Sequence, residues 1–189
     1  MNFTLENEYS VVLDACVLVP MALCDLLLRL AEEPAMYRPL WSDQILTEMT
    51  RAMTAKLHRS SSEAVWRRLQ MDQAFPEAME TVPSELSKAL DCIPDENDRH
   101  VLAAAIMGHA KAMVTQNTKH FPKNCLEKFG VVCETADDFL TRQFQLSPQL
   151  LLDKLDDQAA GISQDREYVI RSLRTSAPVF ARIIETHRL

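Results

Sequence analysis

Apolar and polar positions along the chain alternate between short hydrophobic runs and longer amphipathic segments. The first run, Ser10-Val11-Val12-Leu13-Asp14-Ala15-Cys16-Val17-Leu18, is β-branched and apolar around a single carboxylate. It reads as a buried strand, because Val and Leu suit a pleated surface covered on both faces. A helix over residues 20–31 follows, apolar nearly all round, and a second over 42–57 with Ile45, Leu46, Met49, Met53 and Leu57 as its apolar stripe. A third covers 60–75, and 76–90 reads as one or two short helices broken at Pro83. An Ala-rich helix over 101–107 is placed to approach a sheet closely. Strands over 112–115 and 131–133 then alternate with helices over 123–129 and 135–144. Strand–helix alternation without a hairpin signal predicts a parallel sheet with helices on both faces. Beyond Leu146 only helical segments remain, over 148–159, 164–175 and 177–185. The expected organisation is an α/β domain over residues 1–144 and an all-helical C-terminal appendage over 145–189.

Several carboxylates interrupt this pattern at telling places. Asp14 ends the first strand, where it is either a cap for the next helix or part of a site. A buried aspartate is costly without a partner, and open α/β sheets bind ligands at the carboxyl ends of their strands. Glu48 lies at the edge of the second helix's apolar stripe, so it points along the core side. Asp95, Glu96 and Asp98 crowd the start of the Ala-rich helix. Acids there favour the helix dipole, but one cap needs one acid, and three repel one another unless a cation is present. Asn117 follows the next strand. A parallel sheet would collect Asp14, Glu48, Asp95, Asp98 and Asn117. Such hard oxygen donors suit Mg2+ or Mn2+, not zinc, and the matching chemistry is metal-assisted phosphoryl transfer.

Charge and composition narrow the choice. A net charge of −7 over 189 residues argues against binding to nucleic acid by bulk electrostatics, though not against a nucleic-acid enzyme whose own metal-binding acids make it acidic. Arg51, Lys56, His58, Arg59, Arg67 and Arg68 form the largest local basic patch, read either as a solvated face or as a phosphate-backbone contact. Three glycines leave no room for a Gly-rich phosphate loop. Five cysteines, odd in number and without a C-x-x-C pair, are expected to be reduced thiols in a cytoplasmic protein. The acidic start is not expected to be a signal peptide, and no run approaches the roughly 20 apolar residues of a membrane span. His100 and His120 are read as a packed helical residue and a loop residue.

Four motifs in order, LDACVL, ILTEM, PDENDRHVLAAAI and VTQNTKHFP, resemble those of PIN-domain ribonucleases, most closely the subgroup whose first motif reads D-A-C-V-L or D-A-N-V-L. The resemblance covers residues 11–144. It implies a three-layer α/β/α sandwich with a parallel sheet, and endonucleolytic cleavage of single-stranded RNA dependent on Mg2+ or Mn2+. Many bacterial members are toxins of type II toxin–antitoxin pairs of the virulence-associated protein C type, so a cognate antitoxin and a homodimer are implied partners. Carried over residue by residue, Asp14, Glu48 and Asp98 are the catalytic metal-binding acids, with Asp95 and Asn117 at the outer shell or a second ion. Asn117 stands where many members have a fourth acid, and its neutral amide binds a cation more weakly. Thr115, Arg51, Lys56 and Arg99 are the substrate-positioning residues. Cys16 is read as core. Two other readings are weighed. A catalytically weak PIN domain would serve as an RNA- or protein-binding module. An aspartate-nucleophile phosphatase would need a second Asp where Cys16 stands.

Overall fold

The computed structural model describes residues 9–57 and 59–187; the side chain of Lys56 and all of His58 lie outside the described part. The first apolar run divides at its carboxylate. Ser10–Leu13 is strand β1, buried throughout, and the chain then turns into one helical turn, α1 (Ala15–Leu18). The strand is thus shorter than its apolar run, because the Val17 N–H donates to the Asp14 carbonyl at 3.0 Å and curls the chain away from the sheet. Helix α2 (Met21–Ala31) buries Leu23, Leu26, Leu27 and Leu30.

Two strands lie where the hydropathy pattern predicted none. Arg38–Ser42 forms β2, parallel to β1 with Ser10 opposite Arg38. Its sequence RPLWS has polar ends and a proline without an N–H, so it carries neither period-two alternation nor a continuous apolar run. Helix α3 (Asp43–Leu57) follows directly, opened by the Ser42 hydroxyl, which accepts from the Ile45 N–H at 3.3 Å. Ile45, Leu46, Met49 and Met53 are buried as expected, whereas Leu57, the last residue of the helix, is exposed. Helix α4 (Ser61–Ala74) starts with a reciprocal capping box between Ser60 and Glu63. Met79–Glu80 is the second unexpected strand, β3, too short to show a period, and Ser84–Ala89 is α5.

A 3-10 turn at Glu96–Asp98 leads into α6 (Arg99–Met107). Strand β4 (Ala112–Val114), helix α7 (Lys123–Leu126), strand β5 (Val132–Glu134) and helix α8 (Ala136–Leu146) complete the α/β part. The five strands form one parallel sheet in the order β3-β2-β1-β4-β5. Helix α6 lies against β1, β2 and β4, and its Ala103, Ala104 and Ala105 are wholly buried, as their small side chains predicted. Gly108 closes this helix where a Cβ would stand 2.5 Å from Leu40 Cδ1.

The last three helices are α9 (Pro148–Gly161), α10 (Arg166–Leu173) and α11 (Pro178–Thr186). Helix α9 packs on α2 and α8, and α11 on α8. Lys154 Nζ donates to the Glu32 and Glu33 carbonyls at 3.0 and 3.3 Å, and Gln158 Nε2 to the Ala22 carbonyl at 2.9 Å. The Asp137 carboxylate accepts from the Val179 and Phe180 N–H groups at the start of α11, at 3.0 and 2.7 Å. Leu151, Leu155 and Phe180 are wholly buried in this packing; each side chain removed from water contributes roughly 2 kcal/mol. The result is a three-layer α/β/α sandwich with added C-terminal helices. Among the described residues no helix is long and apolar enough to cross a membrane.

The expectation of five reduced thiols is corrected. Cys92 and Cys125 form a disulfide, their Cα atoms 5.6 Å apart, while Cys16, Cys24 and Cys133 are free. The two partners are 33 residues apart, in the loop before α6 and in α7, and only the fold brings those segments together.

Candidate metal centre

Parallel strands align their carboxyl ends along one edge of a sheet. Because β1 has β2 and β4 as neighbours, the residues after these strands collect at that edge. Asp14 is 7% exposed there. Its side chain does not cap α1, so the capping reading fails. Instead Oδ2 accepts from the Thr115 hydroxyl at 2.6 Å and from the Cys16 thiol at 3.0 Å. Thr115 is wholly buried, and its Oγ1 accepts from the Asn117 N–H at 3.0 Å, which leaves its own proton directed at Asp14. Burial, and next the Asp14 charge, push the Cys16 thiol up to about 12. It is therefore a neutral donor at physiological pH, and its sulfur accepts from the Gln116 N–H at 3.2 Å. A hydroxyl hydrogen bond to a carboxylate is worth roughly 1.5–3 kcal/mol, and with the weaker thiol donor on the same oxygen it fixes the orientation of this carboxylate. Thr115, expected at the substrate, acts on Asp14. Cys16, read as packing, shares that role.

Glu48 is half-buried on α3. Its Oε1 accepts from Gln44 Nε2 at 3.3 Å and lies 3.0 Å from His100 Nε2. His100, on α6, is 2% exposed, and neither ring nitrogen makes a well-directed hydrogen bond. Its contact with Glu48 is one of proximity between α3 and α6, in keeping with a packed residue.

The acidic loop before α6 divides its duties. Asp95 Oδ1 accepts from the Asn97 backbone N–H at 2.9 Å and from its amide at 3.0 Å, capping the 3-10 turn. The Asn97 backbone bond, then its side chain, hold the Asp95 carboxyl below the usual range, and His120 adds a smaller push in the same direction. Asp98 stands at the start of α6 without capping it. Its Oδ2 meets His120 Nδ1 at 2.6 Å. Donor atoms of Asp95, Asp98 and His120 all lie within 4.8 Å of one another, the one such group among the described residues. Asp14 and Glu48 are not part of it. His120 lies in the turn after β4, as expected, and its ring also reaches Asp98. It lies in the same polar stretch after β4 that singled out Asn117, but order along a loop does not say which side chain turns back to the sheet.

The remaining expected residues are placed as follows. Asn117 is exposed at the edge, and its carbonyl accepts from the His120 N–H at 2.9 Å. Arg99 turns inward: Nε donates to the Ile93 carbonyl at 3.0 Å and Nη1 lies 3.6 Å from Glu96, bracing the acidic loop. Arg51 is exposed on α3. The Lys56 side chain and His58 lie outside the described residues. The rest of the basic patch is tied up within the protein. Arg67 is buried and donates to the Leu18 and Val19 carbonyls, Arg68 pairs with Asp43 at 2.6 Å, and Arg59 pairs with Glu63 at 3.2 Å.

The donor chemistry fits a hard divalent cation. The grouped donors are the carboxylate oxygens of Asp95 and Asp98 with the His120 imidazole beside them, and Cys16, beside Asp14, stays protonated and offers no thiolate.

Comparison with known proteins agrees. The profile of the PIN domain matches residues 10–119. A protein of Mycobacterium tuberculosis named "Putative ribonuclease VapC50" is 47% identical over 49 residues, which are 26% of this chain and 29% of that protein. The match thus spans less than a third of that relative's length.

Proposed function

Because this chain belongs to the PIN-domain family, we propose that it is an endoribonuclease that cleaves single-stranded RNA with Mg2+ or Mn2+, acting in the cytoplasm as the toxin of a bacterial type II toxin–antitoxin pair. The observation that carries the reading is the Asp14 carboxylate, buried at the carboxyl end of β1 and oriented by Thr115 and Cys16. A buried carboxylate that caps nothing, held by donors on one oxygen, is a group kept ready for a cation. The similarity to a relative named as a ribonuclease supports the substrate class. We assign the chemistry to residues 1–144, with 145–189 as the helical extension.

In this mechanism Asp14, Glu48 and Asp98 hold the cation, with Asp95 and Asn117 at its margin. When bound, the ion lowers the pKa of a water and neutralises charge on the scissile phosphate. Thr115 and Cys16 keep Asp14 in one orientation. Arg99 stiffens the loop carrying Asp95 and Asp98. Arg51 and Lys56, on the last two turns of α3, serve the RNA backbone. A protein partner, whether antitoxin or second copy, is supported by the outer face of α4, where Val65, Trp66 and Leu69 are exposed on one side of the helix.

The test is cleavage of single-stranded RNA by purified protein with Mg2+ or Mn2+, with chelator, and as Asp14→Ala. The expected result is cleavage in the first condition alone; equal cleavage in all three overturns the proposal. The neutral amide at Asn117 favours a second reading, a weakly catalytic binding module. Calorimetric titration separates the two, since a binding module shows no saturable uptake of either cation.

A further inference from the structure

We propose that His120 is a nitrogen ligand of the cation held at Asp98, forming with Asp95 a mixed nitrogen–oxygen subsite that favours a transition ion such as Mn2+ over Mg2+. This rests on the reading of the sheet edge as a metal-dependent nuclease centre. His120 Nδ1 lies 2.6 Å from Asp98 Oδ2, and with an Asp95 oxygen the three donor atoms fall within 4.8 Å. Metal–ligand bonds of about 2.0–2.2 Å let one ion span donors up to about 4.4 Å apart. Closing the group on an ion therefore asks for side-chain adjustments of only a few tenths of an ångström. The close Nδ1–Oδ2 pair places a nitrogen and a carboxylate oxygen beside the same small volume, next to an Asp95 oxygen.

Access and anchoring both favour binding. The His120 side chain is 47% exposed and that of Asp98 21%, so an ion reaches them from solvent without unfolding. The two segments that supply the donors are tied together nearby: the Cys92–Cys125 disulfide joins the chain just before Asp95 to the helix just after His120. The nitrogen donor sets the preference. Mg2+ takes oxygen ligands and gives up water reluctantly, whereas imidazole is a common ligand of first-row transition ions. The carboxylates expected from the family pattern do not by themselves supply this selectivity.

The test follows Mn2+ binding to the full chain by electron paramagnetic resonance, with nitrogen coordination read from nitrogen-14 modulation of the electron spin echo. The wild type is expected to show the modulation. His120→Ala should lose it and bind Mn2+ about tenfold more weakly. His120→Asp should recover Mn2+ affinity without the nitrogen signal. Mn2+ bound without nitrogen modulation in the wild type, or modulation that survives His120→Ala, overturns the assignment and leaves the nuclease reading standing. Absence of saturable Mn2+ and Mg2+ binding sinks both.

Discussion

The two ends of the acidic edge are built by different means. At one end, Asp14 is buried and directly continuous with the central strand β1, and two neutral donors, Thr115 and Cys16, hold the same oxygen. At the other, Asp95, Asp98 and His120 sit on loops between exposed and half-buried. Their order comes from ties between loops: the Asn97 cap, the Arg99 brace and the Cys92–Cys125 disulfide. The first end is rigid because a sheet and a low-dielectric surround fix it. The second is held by crosslinks on a surface that solvent can reach. In the proposed site one vertex is immobile and the other can adjust around an ion or a substrate.

Substitutions can break this contrast. The largest effect is expected at the immobile vertex: Asp14→Asn should lower RNA cleavage on the order of 10³-fold, whereas Asp95→Asn, on the adjustable side, should lower it only several-fold. Equal losses would erase the distinction. Next comes the crosslink. Cys92→Ser should lower unfolding free energy in denaturant titrations by about 3–4 kcal/mol, the chain-entropy value for a loop of this length. Thiol titration of the denatured, unreduced protein should find the three free cysteines, and five after reduction. Five before reduction would remove the crosslink from the account.

Thr115→Val should weaken cation binding by about 10–100-fold in calorimetry, the usual cost of losing a group that orients a ligand. An unchanged affinity would mean that Cys16 and burial suffice to hold Asp14. The smallest effect concerns the thiols. Burial pushes Cys16, Cys24 and Cys133 each up to about 12, so alkylation of the native protein at pH 8 should be far slower than after denaturation. The folded state favours their protonated form. That contribution is whole below the ordinary value of 9.0 and is lost as pH rises toward 12. Rapid native labelling of Cys16, read by mass spectrometry, would show it outside the Asp14 pocket.

Much of the fold was legible along the chain. The run Val11–Leu13 announced the central strand, the spacing of Ile45, Leu46, Met49 and Met53 announced α3, and the small side chains of Ala103–Ala105 announced a helix pressed on the sheet. These are short-range signals, set by the periods of strand and helix. Strands β2 and β3 were not legible, because a sheet pairs segments through backbone hydrogen bonds that side-chain pattern need not record. Asp14 and Asp98 stood out as acids at structural junctions, where their charge had no local use.

The sequence by itself determined the parallel α/β sheet, since strand–helix alternation dictates it, and marked the acids at its junctions. Only the tertiary structure decided which partners those acids meet. Thr115 and Cys16 reach Asp14 because β4 lies beside β1 in the sheet, and His120 reaches Asp98 across 22 residues of chain. It also decided that Arg59, Arg67 and Arg68 of the basic patch serve contacts within the protein, and that Cys92 finds Cys125. The physical reason is common to all of these. Side-chain chemistry is local, but contact is set by distances that the chain's order does not encode.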